Sequence, residues 1–207
     1  MAFNLKKNIA MTMVGKTTIL LLNFLVVVLT TQFWGAEGRG VIAMFVADVS
    51  LLAIVANIFT GSSVSYYLSK AGYGRLFSIA MLWVSLTSVV GAGVFYLFEK
   101  QNLTLFFLII SIFTAIIAFF NSLYIGGQRI RHYNMLTVLQ PFLLVSFMLF
   151  FFYFVDGSYR AYFYAQMLSM SILSVVCLVL ERKSAKVSDM KVNLPVAVRS
   201  FKFGFKT

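Results

Sequence analysis

The chain has 207 residues, of which 61% are apolar and 11% are charged, and its formal net charge is +11. Because soluble domains carry roughly 25% charged residues, this composition excludes a water-soluble fold. The basic residues lie between the apolar runs and not along one surface, which argues against a nucleic-acid-binding protein. The single cysteine, Cys177, excludes an intrachain disulfide.

Six apolar runs follow one another along the chain, each about as long as the roughly 20 residues that a helix needs to cross a bilayer. They are Thr17–Trp34, Val41–Thr60, Leu76–Phe98, Leu103–Ile125, Met135–Val155 and Ala161–Leu180. Because a backbone in lipid must satisfy its own hydrogen bonds, each run is expected to be a helix. We therefore predict an all-α, polytopic membrane helix bundle, with a cytoplasmic segment at residues 1–16 and a six-helix transmembrane lobe at residues 17–180.

The basic residues are distributed unevenly between the connectors. If the N-terminus is placed in the cytoplasm, 14 of the 17 lysines and arginines fall on the inside, and only Arg39, Lys100 and Arg160 fall on the outside. Short loops rich in lysine and arginine stay in the cytoplasm. We therefore predict that both termini are cytoplasmic, which agrees with an even number of spans.

The sequence shows no group of reactive side chains at the spacing of a known catalytic or metal-binding motif. The stretch Gly-Lys-Thr-Thr at residues 15–18 resembles the end of a phosphate-binding loop, but Ala10 stands where that motif needs a glycine. The single histidine, His132, has no second ligand at a metal-binding spacing. Paired carboxylates for acid–base catalysis are also missing. We therefore predict no enzymatic activity, no catalytic residue, no cofactor and no metal site.

Polar side chains inside the apolar runs are expensive in lipid and tend to face other helices or a wet cavity. Lys16, just before the first run, and Asn23 and Thr30 within it are spaced seven residues apart and form one polar stripe. Gln140 precedes Pro141, which removes a backbone donor and is expected to kink the fifth helix. The other predicted polar faces, in the fourth and sixth runs, comprise Ser111, Thr114, Asn121 and Ser122, and Gln166, Ser169 and Cys177. Two interpretations stay open for each face: hydrogen bonds between packed helices, or the lining of a polar cavity.

Asp48 is the only acid or base inside the six runs. A charged side chain at such a depth costs about 3 kcal/mol unless it is paired, protonated or hydrated. Ser50 and Asn57 point away from it on the same helix, so any partner must come from another helix. Three roles stay open: a coupling site for a proton or cation, a polar group in a cavity, or a protonated acid hydrogen-bonded between helices. Together with the stripe of the first run and Gln140, Asp48 is a candidate cavity-lining residue.

The composition changes after Leu180, and residues 181–207 are predicted to form a basic cytoplasmic linker. Pro195 precedes a mixture of apolar and basic residues at 196–207. This mixture predicts the approach to a seventh helix that is absent from the chain. The alternative is a short amphipathic helix on the inner leaflet.

Three stretches carry a family resemblance. They are the first run with its glycine-bearing loop at residues 35–40, the small and polar stretch Gly61–Leu68, and the stretch Arg199–Lys206. In these stretches the chain resembles the polysaccharide flippases of the multidrug/oligosaccharidyl-lipid/polysaccharide exporter superfamily. The resemblance implies a transporter built from two six-helix lobes, with a central cavity that opens alternately to each side.

By this resemblance, the chain is expected to be the N-terminal lobe of a flippase in the bacterial inner membrane. The implied activity is the translocation of polyprenyl-diphosphate-linked oligosaccharide for lipopolysaccharide, O-antigen or capsule synthesis. The expected partners are membrane lipid, that substrate, and a second six-helix lobe or another chain, with no nucleic acid. Two alternatives are a cation-coupled multidrug exporter of the same superfamily, with Asp48 as its coupling acid, and a non-transporting membrane scaffold subunit.

Overall fold

The computed structural model describes residues 2–98 and 101–182, together with the isolated residues 200 and 204. The helices in chain order are α1 (Ala2–Thr60), α2 (Ser62–Ala71), α3 (Tyr73–Phe98), α4 (Thr104–Gly126), α5 (Ile130–Phe154) and α6 (Arg160–Glu181), with one 3₁₀ turn at Gln101–Leu103. The chain is all-helical over these ranges and contains no strand in them. The predicted linker and the approach to a seventh helix fall mainly outside the described residues.

Five helical stretches of the described chain are long and apolar enough to cross a membrane, which makes the molecule a helical membrane bundle. The first stretch, Thr12–Leu68, is 57 residues long. At 1.5 Å per residue a straight helix of that length would measure about 85 Å, nearly three times the hydrocarbon thickness of a bilayer. The stretch is not straight, because α1 is interrupted.

The interruption of α1 lies at Gly35, whose φ of 63° and ψ of −165° are not helical. Only glycine adopts this region without strain. A Cβ on Gly38 would meet the Cβ of Trp34 at 2.5 Å, which shows how sharply the chain bends between these positions. The predicted loop at residues 35–40 is therefore corrected to a break at one residue, since residues 36–40 are already helical. We call residues 2–34 and 36–60 the first and second arms of α1.

The first arm runs parallel to α5. Its beginning is joined to the beginning of α5 by a hydrogen bond from the Asn134 amide to the Thr12 hydroxyl, 3.1 Å long. At its other end, the Trp34 indole N–H donates to the Gly157 carbonyl, just beyond α5, over 2.8 Å.

The second arm runs antiparallel to α3. Phe45, near its beginning, contacts Phe95, near the end of α3. Phe59, near its end, contacts Trp83. Because α3, α4 and α5 alternate in direction through short connections, the second arm runs antiparallel to the first arm, and the chain turns back at Gly35.

Two buried clusters, both rich in aromatic side chains, hold the helices together. The first includes Phe45, Phe95, Phe107 and Phe163, where the second arm of α1 meets α3, α4 and α6. The second lies towards the other end of the bundle, and its largest members are Phe119, Phe120, Tyr124 and Leu173. Many large apolar side chains remain exposed on the outside, such as Leu97 and Phe98, as expected where lipid replaces water.

The two ends of the bundle differ in charge. The end that carries the connection between α2 and α3 and the connection between α4 and α5 also carries Arg75, Arg129, Arg131 and Arg182. We call it the basic end. The opposite end carries the break at Gly35 and the connection between α5 and α6.

Candidate functional site

A small, partly open cavity of about 190 Å³ lies among the second arm of α1, α4, α5 and α6, and its lining residues Val46 and Ser50 are exposed at the surface of the bundle. Four polar side chains reach it, one from each of these elements: Ser50, Thr114, Gln140 and Gln166. The remainder of the lining is largely apolar and aromatic. The cavity therefore gathers uncharged hydrogen-bonding groups among otherwise apolar helices.

A larger groove of about 820 Å³ lies nearer the basic end. Its polar lining residues come from α1, α2, α4 and α5: Asn57, Ser62, Asn121, Ser122 and Tyr133. Gly204 of the C-terminal segment also borders it. Among the described lining residues of the groove and of the small cavity there is no aspartate, glutamate, lysine or arginine.

The cavity and the groove lie in line along the same helix faces. Three pairs of polar residues, one pair on each of three helices, contribute one member to the cavity and one to the groove: Ser50 and Asn57, Thr114 and Asn121, and Gln140 and Tyr133. The members of each pair are seven residues apart, which keeps them on one face about 10 Å apart along the helix. We call these six residues the polar trough.

Two side chains of the trough have unused hydrogen-bonding capacity. The Thr114 hydroxyl and the Asn121 side-chain carbonyl are buried and have no partner in the described protein. The hydroxyls of Thr104 and Ser111, elsewhere on α4, are also buried without a partner among the described residues, whereas Thr137 of α5 donates to the Tyr133 carbonyl of its own helix over 3.0 Å. A buried polar atom without a partner costs about 1–3 kcal/mol, so a polar ligand or water at this position would stabilise the bundle.

The packing of α2 on α4 forms one wall of the trough. The Ser65 hydroxyl donates to the Ser122 carbonyl over 2.7 Å. One turn further along α4, a Cβ on Gly126 would come within 2.7 Å of the Ser65 Cα, so glycine is needed for this approach. The short helix α2 is thereby held against the groove.

Of the five predicted cavity residues, the structure brings Gln140 to the trough. Lys16 and Asn23 are exposed on the outside of the first arm. Thr30 is fully buried, and its hydroxyl donates to the Val26 carbonyl of its own helix over 2.8 Å. Asp48 is half-buried and belongs neither to the cavity lining nor to the groove lining. Lys16, Asn23 and Thr30 therefore do not line one cavity together with Gln140.

Ser50 and Asn57 were not predicted as site residues. They were considered only as partners for Asp48, and they were set aside because they point away from it on the same helix. The available signal was their spacing of seven residues, which is repeated by Thr114 and Asn121 on a predicted polar face. What the sequence did not reveal was which polar faces meet in space.

A half-buried ion pair at the basic end was also not predicted. Glu181 was assigned to the linker, but it is the last residue of α6 and its side chain is only 4% exposed. The Arg129 guanidinium, just before α5, lies 2.6 Å from the Glu181 carboxylate. The pair joins the connection between α4 and α5 to the end of α6.

Comparisons with protein-family models, with curated proteins and with solved structures found no match to this chain. No group of three His, Cys, Asp or Glu side chains in the described part of the chain could hold a metal ion. The polar trough is therefore the candidate site, and its chemistry is that of neutral hydrogen-bond donors and acceptors.

Proposed function

We propose that the chain is the N-terminal lobe of a membrane flippase for polyprenyl-diphosphate-linked oligosaccharide, in the bacterial inner membrane. The observation that supports this proposal most is the polar trough. Neutral hydroxyl and amide groups suit the hydroxyl groups of a sugar. Polar side chains are costly inside a bilayer, so a set of them that lines one trough favours a functional role. The product would serve cell-surface polysaccharide synthesis, such as that of lipopolysaccharide, O-antigen or capsule.

The proposal includes six membrane spans, with each arm of α1 crossing once. The two arms run in opposite directions, and each is about long enough for one crossing. Placing the basic end in the cytoplasm follows the distribution of positive charge. Both termini are then cytoplasmic.

In this proposal a second six-helix lobe, or another chain, faces the trough. Transporters built from repeats bind their substrates between two halves. Rocking of one lobe against the other would expose the trough to each side in turn. The trough would supply hydrogen bonds that replace water around the sugars while they cross the hydrocarbon.

The test replaces the two unpartnered trough groups by apolar side chains of similar size, as Asn121→Leu and Thr114→Val in the full-length protein. We expect surface polysaccharide to fall by about tenfold, because the loss of one or two hydrogen bonds to a substrate costs about 1.4 kcal/mol or more. The matched control is Ser146→Ala. Ser146 is exposed on α5 and donates to the Phe142 carbonyl of its own helix. Normal polysaccharide output from the Asn121→Leu, Thr114→Val double variant at normal protein level would refute the role of the trough.

The cation-coupled exporter is kept as a second candidate, because Asp48 is a half-buried acid within α1. Transport of a fluorescent organic cation would separate the two candidates. The flippase proposal predicts no transport of such a cation, and transport abolished by Asp48→Asn would favour the exporter.

A further inference from the structure

A crevice of about 480 Å³ lies between the beginning of the first arm of α1 and the first turns of α5. Its polar lining residues are Thr18, Arg131 and Asn134. The walls are apolar, and their main members are Val14, Val138 and Phe142. The crevice thus has a cationic mouth at the basic end and apolar walls that continue along α5.

The crevice is separate from the polar trough. Arg131, Val138 and Phe142 are spaced seven and four residues apart and share one face of α5. Tyr133 and Gln140 of the trough lie on the opposite face, because two residues along a helix correspond to about 200° of rotation. A ligand in the crevice would therefore not occupy the trough.

The arginine at the mouth is available for a ligand. Arg131 is exposed, and no described carboxylate lies within ion-pair distance of it, whereas Arg129 two residues earlier is paired with Glu181. The first turn of α5 contains no acidic residue. The hydrogen bond between Asn134 and Thr12 holds α1 and α5 together beside this guanidinium.

We infer that this crevice binds an anionic phospholipid, with its phosphate on Arg131 and an acyl chain along Val138 and Phe142. A guanidinium matches the geometry and charge of a phosphate. Basic side chains at the cytoplasmic face attract anionic headgroups. The apolar walls favour a phosphate that carries a hydrocarbon chain over a free phosphate ion.

The experiment measures lipid binding to the purified full chain in detergent by native mass spectrometry. The probes are phosphatidylglycerol, which is anionic, and phosphatidylcholine, which is zwitterionic. We expect Arg131→Ala to weaken binding of phosphatidylglycerol by about fivefold and to leave the weak binding of phosphatidylcholine unchanged. The matched control is Arg182→Ala, which removes the same charge from an exposed residue at the same end that does not line the crevice.

A second variant tests the apolar part of the crevice without changing its charge. Gly15 lines the crevice, with Val138 at 3.6 Å from the position of its missing Cβ. Gly15→Leu should therefore fill the crevice and weaken phosphatidylglycerol binding. Gly93→Leu is the matched control, because the site of its Cβ on α3 has no atom within 4 Å.

Three results would overturn the inference. The first is an equal loss of binding in Arg131→Ala and Arg182→Ala, which would mean diffuse attraction to the whole basic end. The second is unchanged binding in Gly15→Leu. The third is displacement of phosphatidylglycerol by millimolar inorganic phosphate, which would assign the mouth to a free anion.

Discussion

The two partners of the Arg129–Glu181 ion pair differ in burial. The arginine side chain is 49% exposed, whereas the glutamate side chain is only 4% exposed. Loss of the arginine leaves a buried carboxylate without a partner, whereas loss of the carboxylate leaves a cation that water can solvate. The two halves of this pair should therefore differ in their effect on stability.

We expect Arg129→Met to lower the free energy of unfolding by about 2 kcal/mol. Glu181→Gln, which keeps a hydrogen-bond acceptor, should lower it by about 1 kcal/mol or less. Denaturant titration in detergent micelles measures both values. The double variant serves as control and should be more stable than Arg129→Met alone. An equal or larger loss in Glu181→Gln would contradict this assignment.

Asp156, in the connection between α5 and α6, accepts hydrogen bonds from the Ser158 backbone N–H over 2.9 Å and from the Ser158 hydroxyl over 2.8 Å. These bonds hold the pKa of Asp156 below its ordinary value of 3.8. A lowered pKa means that the carboxylate stabilises the folded turn above its ordinary pKa. This stabilisation is lost as the pH falls through the lowered value.

We therefore expect amide hydrogen exchange in residues 155–160 to remain slow, after correction for intrinsic rates, down to about pH 4. Below that pH the protection should decrease. The Asp156→Asn variant should show no such change with pH. Pronounced loss of protection between pH 7 and pH 5 in the natural chain would be inconsistent with the lowered pKa.

At the scale of elements, the turn of α1 depends on one glycine. Gly35→Ala should lower the free energy of unfolding by about 2 kcal/mol, because its φ of 63° and ψ of −165° are open only to glycine. Gly40→Ala is the matched control: its backbone is helical and nothing lies within 4 Å of the site of its Cβ. It should change stability by less than about 0.5 kcal/mol. Denaturant titration measures both, and equal effects would contradict a turn confined to Gly35.

The helices themselves could be predicted from hydropathy, because an apolar run of membrane-spanning length has few other solutions. Their boundaries were less predictable. α2 was anticipated only as a small polar stretch, and α6 was expected to end at Leu180, one residue before the buried Glu181. The sequence offered no sign of this burial because Glu181 begins a polar, basic segment.

The candidate site could be predicted only in part. The polar face with Thr114 and Asn121 was recognised, and so was Gln140, whereas the face with Lys16 and Asn23 proved to be exposed. The physical reason is that in a membrane bundle both the lipid-facing and the core-facing sides of a helix are apolar. Hydrophobicity therefore does not reveal which face is internal, and only the packing decides which polar groups meet.

At the scale of the whole molecule, the account requires that the two arms of α1 cross the membrane in opposite directions and that the basic end faces the cytoplasm. The native chain is suited to a test by thiol labelling, because its single cysteine, Cys177, is buried. New cysteines can be introduced at exposed positions on the two ends. Glu37 and Arg160 lie at the opposite end, and His132 and Arg182 lie at the basic end.

The most direct measurement is labelling of intact cells that express the protein by a membrane-impermeant thiol reagent, using the variants Glu37→Cys, Arg160→Cys, His132→Cys and Arg182→Cys. We predict that the first two variants label in intact cells and that the last two label only after the membrane is permeabilised. Labelling of Arg182→Cys in intact cells, or protection of Glu37→Cys until permeabilisation, would contradict the six-span lobe on which the proposed transport depends.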